Sequence, residues 1–146
     1  KIYSTCVRIV MTYGNETWPM KVEERQHLEK AKRMMVRQMC GVTLKDRKSS
    51  EELRRRIGIE NVADVIRRGR LRWFGHVERK EDNDWVKACQ TLEIDGNRGK
   101  GRGKKTWRQC VDEDMKILKL NKKDTDNRME WRSGLWGDRL TRASAD

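Results

Sequence analysis

Apolar residues in this chain return every three or four positions and never alternate with polar ones over a strand-length stretch. At 100° per residue such spacing lines one side of an α-helix, and it leaves nothing to pair as a half-buried sheet. The chain is therefore read as all-α. Leu28, Ala31, Met35 and Met39 share one face of a segment that opens near Pro19 and closes at Gly41. Leu53 and Ile57 belong to a shorter helix ending at Gly58, entered through the capping-box run Ser49-Ser50-Glu51-Glu52. Asn61 is placed to cap a helix over about 61–79 with Val62, Val65, Ile66, Trp73 and Val77 as its apolar face. Thr106 with Gln109 makes a second capping box, opening a helix to about Leu120. Its apolar side carries Trp107, Cys110, Val111 and Leu118, with Asp114 intruding, which is read as one half of an edge salt bridge. A last short helix is expected over 124–131, followed by a fraying tail. At the other end, Ile2, Cys6, Val7, Ile9, Val10, Met11 and Tyr13 form a helix-like run stopped by Gly14 and Asn15. The chain opens inside that run without a Met, so a piece of a longer protein is expected.

What these helices can bury is limited. Leu, Ile, Val and Phe total 27 of 146 residues, a fraction that in a highly charged chain leans towards disorder. Six Trp and seven Met offset this, since each Trp can bury roughly 150–250 Å². The expected architecture is a thin multi-helix bundle with a flexible basic arm. No apolar run approaches the ~20 residues of a membrane span, so no membrane partner is expected, and no signal peptide opens the chain.

Charge points to the partner. The chain holds 35 Lys and Arg against 23 Asp and Glu, a net +12, and a polyanion is a better match than a small acidic substrate. Residues 95–105 concentrate the signal, with Arg98, Lys100, Arg102, Lys104 and Lys105 set among four glycines. Gly lets a backbone press close to a duplex, and the cations displace counterions from phosphates. Lys100-Gly101-Arg102 has the look of an AT-hook core, which lies in a narrow minor groove. A solubilising linker or a localisation signal is the plainer alternative. In the 61–79 helix, Arg68, Arg72 and Arg79 line one flank at a spacing that follows a phosphate backbone. Arg67 and Arg70 point away from that flank, and Leu71 faces away from the apolar stripe, placed to pack against a neighbour. Trp73 is assigned as a core anchor and His76 as a packed or hydrogen-bonding residue.

No catalytic constellation emerges. There is no paired Asp-Asp, GxSxG, P-loop or HExxH pattern, and the many acidic residues are interspersed with Lys and Arg as solvated ion pairs. Cys6, Cys40, Cys89 and Cys110 lie far apart with no CxxC, and His27 and His76 are the only histidines. They are read as buried free thiols in a reducing compartment, with no metal site.

Four stretches together resemble one family, the LINE-type (non-LTR) retrotransposon reverse transcriptases. Tyr13-Gly14-Asn15-Glu16-Thr17-Trp18 is similar to the family's YGxETW motif, and the run before it resembles the family's too, although Ile9 stands where a Pro usually follows Arg8. Asp46-Arg47 and Arg56-Ile57-Gly58-Ile59 resemble its RDR and RtGi segments. Arg70-Leu71-Arg72-Trp73-Phe74-Gly75-His76-Val77 is very similar to LRWxGHV. Arg102 to Trp107, then Cys110-Val111 and Glu113-Asp114-Met115, resemble RGRPKKTW and the V…DM run after it, with Gly103 replacing the Pro. Arg128 to Trp131 and Arg132 fit the closing DRxxWR.

The resemblance implies a division into part of a thumb (1–48), a basic helical connector (49–94), the arm (95–105) and a C-terminal helical segment (106–146). The family's catalytic aspartates and Mg²⁺ belong to an upstream polymerase core, often with a linked endonuclease. For this chain the resemblance implies gripping of template–primer and element RNA, beside that core, without a cofactor or enzymatic activity of its own. An intracellular setting follows, in the nucleus or a cytoplasmic ribonucleoprotein. A stand-alone basic DNA-binding protein and an inert remnant of a truncated copy are the other readings of the same residues.

Overall fold

A computed structural model describes residues 2–92, 103 and 105–136. Among them are seven α-helices and no strand, as the all-α reading expects. The helices are α1 (Arg8–Met11), α2 (Val22–Met39), α3 (Ser50–Arg56), α4 (Val62–Glu78), α5 (Trp85–Thr91), α6 (Trp107–Leu118) and α7 (Arg128–Trp136). A π-helical turn, Tyr3–Val7, leads into α1, and 3₁₀ turns occupy Leu44–Asp46 and Lys122–Thr125. Of the basic arm, only Gly103 and Lys105 fall among the described residues, and its expected flexibility lies outside them. The expected fraying tail beyond Trp136 also lies outside them.

The helix starts follow their caps. Ser49 Oγ accepts from the Glu52 amide at 3.1 Å, and Asn61 Oδ1 accepts from the Ala63 amide at 3.1 Å. Thr106 and Gln109 exchange side-chain bonds with each other's amides at 3.3 and 2.9 Å. Each arrangement satisfies donors that the first turn would otherwise leave open. Gly58 ends the α3 segment in the left-handed region (φ 66°), with the Ile59 amide returning to the Arg54 carbonyl at 3.0 Å. The last helix starts four residues later than expected, at Arg128, because Asn127 Oδ1 accepts from the Met129 amide at 3.0 Å, whereas Lys122–Thr125 makes a separate 3₁₀ turn.

The chain divides into two compact units, Lys1–Arg67 and Arg68–Asp146. In the first, Val36, Leu53, Val62 and Ile66 are buried together with Tyr3, Asn15 and Lys32. The expected stripe on α2 is displaced by one position. Lys32 and Val36 are its buried residues, whereas Leu28, Ala31 and Met35 are half-buried and Met39 is exposed. Lys32 is 4% exposed and its Nζ donates to the Glu60 carbonyl. Burial, and then the neighbouring Arg54 charge, lower its amine from 10.5 to about 8.

The second unit is built on rings. Leu71, Phe74, Val111, Met115, Trp131 and Leu135 form its core, with Trp107, Leu118 and Leu120 packed at the edge. Phe74 lies 6.2 Å from Trp107 and 6.1 Å from Trp131, both tilted, a separation that suits aromatic pairs. Here the predicted face of α4 requires correction. Leu71, placed off the stripe against a neighbour, is fully buried at the centre of the core, and so is Phe74, whereas Trp73 is half-buried and Val65 in the first unit is half-buried as well. Arg70, expected to point elsewhere, is buried and donates to Asp114 Oδ2 at 2.8 Å. The stripe includes a charged residue, and that is why a hydropathy pattern places it on the wrong side. Asp114 does form a salt bridge, but buried rather than at an edge. The thiols also differ from expectation. Cys110 is buried, Cys40 is intermediate, and Cys6 and Cys89 are exposed.

Candidate nucleic-acid interface

The motif residues divide by what they touch. Gly14 adopts φ 71°, and a Cβ there would fall 2.5 Å from Trp18 Cη2, so only Gly allows the indole to lie on this turn. The Thr17 hydroxyl donates to the Gly14 carbonyl at 3.0 Å, and buried Asn15 donates to the Met11 carbonyl at 3.3 Å. Tyr13 is 83% exposed and Glu16 is half-buried. This first motif is a locally closed turn that presents Tyr13 outward.

The second motif meets a partner 60 residues away. The Trp131 indole N–H donates to the Leu71 carbonyl at 3.0 Å, and a Cβ on Gly75 would lie 2.3 Å from Trp131 Nε1. Gly75 is thus required by contact with Trp131, and two sequence-distant motif segments are one packing unit. His76 is exposed and sits beside Trp73, with ring centroids 5.6 Å apart. Glu78 is clamped by Arg108 at 3.4 Å and Lys122 at 3.1 Å, and the Arg108 guanidinium stacks 4.9 Å over Phe74. Trp107 is half-buried at the edge of this core.

Of the three arginines expected along one flank, Arg68 and Arg72 lie on α4 and Arg79 lies just past its end, and they are not equally available. Arg72 is exposed. The Arg68 guanidinium stacks 4.7 Å over the Trp136 ring. Arg79 is half-buried and donates to the Thr125 carbonyl at 2.9 Å. Burial, and then the nearby Arg128 charge, lower its guanidinium below the usual arginine range. Arg79 therefore anchors the approach to α7 and is not a free cation. Lys105 is exposed and ion-paired with Glu113. Arg98, Lys100, Arg102 and Lys104 lie outside the described residues. Sequence reasoning missed Arg128, Arg132 and Trp136 as members of a surface, because the last helix was expected over 124–131 whereas it runs from Arg128 to Trp136.

Other cations are engaged locally. Lys80 pairs with Asp84 at 2.8 Å and Lys87 with Asp82 at 2.7 Å, and these partners hold both carboxyls below the usual carboxylate range. Among the described residues no group of three His, Cys, Asp or Glu could hold a metal ion. No helix among them is long and apolar enough to cross a membrane.

Comparison with known proteins gives one relationship. The chain is 23% identical over 89 residues to an uncharacterized transposon-derived protein of Caenorhabditis elegans, covering 58% of this chain and 32% of that protein. The chain thus spans about a third of that relative's length. The similarity supports a transposon origin. No protein-family model matches the chain. No solved structure matches it either.

Proposed function

We propose that this chain is the nucleic-acid-binding, C-terminal part of a transposon-encoded RNA-directed DNA polymerase of the non-LTR type. In this reading it grips template–primer and element RNA beside an upstream polymerase core, and the chemical step belongs to that core. The observation that carries the binding role is the charge imbalance of 35 cations against 23 anions. Even if every carboxylate were paired within the chain, twelve cations would remain for an external polyanion. Phosphates are the matching chemistry, because each one neutralised releases condensed counterions. The transposon-derived relative supports the origin, and the four motif stretches support the polymerase family.

The test is binding of the full chain to an RNA–DNA primer–template duplex at a series of salt concentrations. The expected result is a linear fall of log K with log salt, with a slope of about −0.9 per phosphate contacted on B-form DNA. Affinity independent of salt, or no binding at low salt, would contradict the proposal. With Mg²⁺ and nucleotides, the same preparation is expected to give no primer extension, and extension would reject the separation of grip from chemistry.

A further inference from the structure

The direction in which α4 and α7 run is set by four pairings within the second unit. Arg68 stacks on Trp136, Trp131 bonds the Leu71 carbonyl and abuts Gly75, and Arg79 bonds the Thr125 carbonyl just ahead of α7. Ascending positions on one helix meet descending positions on the other, so the two are antiparallel. At that stagger Arg72, one turn after Arg68, comes level with Arg132, one turn before Trp136. Arg128 lies a further turn down the same flank of α7. Arg72, Arg128 and Arg132 are exposed and make no ion pair among the described residues. Glu130, the one carboxylate on α7, is about 200° around the helix from both of its arginines. The seam is therefore a run of guanidinium groups ending on an indole that is 43% exposed and braced by Arg68 from one side.

We propose that this α4–α7 seam binds single-stranded nucleic acid, with Arg72, Arg128 and Arg132 on successive phosphates and a base stacked on Trp136. The proposal rests on the nucleic-acid reading above and narrows it to a strand type and a place. A duplex keeps its bases stacked on one another, whereas an exposed indole beside a row of cations suits an unstacked base on a flexible backbone. Arg68 adds a second planar surface and holds the ring in position, with a cation–π contact of ordinary geometry.

Fluorescence anisotropy on the full chain tests this with three labelled probes, each titrated over the same series of salt concentrations: a homothymidine strand, an abasic strand of equal length, and a duplex. Because stacking on an aromatic side chain contributes about 1–3 kcal/mol per base, the homothymidine strand is expected to bind roughly 5- to 150-fold tighter than the abasic one. Trp136→Ala should erase that difference and Trp136→Phe should keep most of it. Arg72→Ala with Arg132→Ala should weaken both single strands equally and reduce the log–log salt slope by about 1.4, at 0.7 per phosphate on single strands. If Trp136→Ala leaves the base preference intact while duplex binding persists, the seam is overturned and the broader reading stands. If no probe binds at low salt, the broader reading fails with it.

Discussion

The two units solve the shortage of aliphatic residues differently. The first encloses an amine, since Lys32 is among its most buried side chains and is satisfied by the Glu60 carbonyl. The second encloses rings, with Trp131 and Phe74 at the centre and one ion pair, Arg70–Asp114, buried beside them. Rings supply a large apolar area, and the one polar atom of Trp131 is satisfied by the Leu71 carbonyl. A buried amine supplies only the area of its stem and carries a desolvation penalty with it. The second unit should therefore respond most to loss of a ring, and the first to pH.

The largest expected effect is at Trp131. Trp131→Ala removes a side chain that is 2% exposed and its bond to the Leu71 carbonyl, and should cost about 3–5 kcal/mol in chemical denaturation followed by circular dichroism. Trp73→Ala, at a half-buried position, should cost about 1 kcal/mol. Equal losses at the two tryptophans would contradict the assignment of Trp131 as the anchor.

Breaking the buried pair should come next. Arg70→Ala removes the guanidinium that donates to buried Asp114, and losing a hydrogen bond to a charged group should cost about 1.5–3 kcal/mol. The double change Arg70→Met with Asp114→Leu should recover most of it, because it removes both buried charges. A double variant no more stable than the single one would show that the pair contributes specific geometry beyond charge balance.

The effect of pH in the first unit is smaller and has a defined sign. Lys32 has an amine at about 8 in the folded chain against an ordinary 10.5. Above pH 8 the folded state releases this proton while the unfolded state still binds it, so stability from this group rises with pH until about 10.5. Below pH 8 the amine is charged in both states and the full penalty of burial applies. Thermal unfolding between pH 7 and 9.5 should show this gain, and Lys32→Met should flatten it. An unchanged pH profile in Lys32→Met would remove Lys32 as its source.

Much of the fold is legible in the sequence where a single residue acts on its own neighbours. Ser49, Asn61 and Thr106 cap the helices they were expected to cap, because a cap needs only the amides two or three positions on. The buried face of α4 is not legible in the same way. Its stripe passes through Arg70, whose burial depends on Asp114 44 residues away, and a pattern that counts Arg as surface moves Trp73 inward in its place. Likewise Gly75 makes sense only once Trp131 is known to lie against it. Of the candidate site, the common flank of Arg68 and Arg72 follows from helical spacing alone, whereas Arg79 lies just past the end of α4. The tertiary uses of Arg68 and Arg79, and the contribution of α7, depend on contacts that local periodicity does not contain.

The central claim is that the second unit separates residues that fold it from residues that bind. Arg72→Ala with Arg132→Ala, measured for both unfolding and binding to a single-stranded oligonucleotide at low salt, tests it most directly. The account predicts a change in stability within about 0.5 kcal/mol, as for surface positions generally, together with weaker binding and a salt slope reduced by about 1.4. A double variant that unfolds the chain, or one that binds as tightly and with the same salt slope as the unaltered protein, would contradict it.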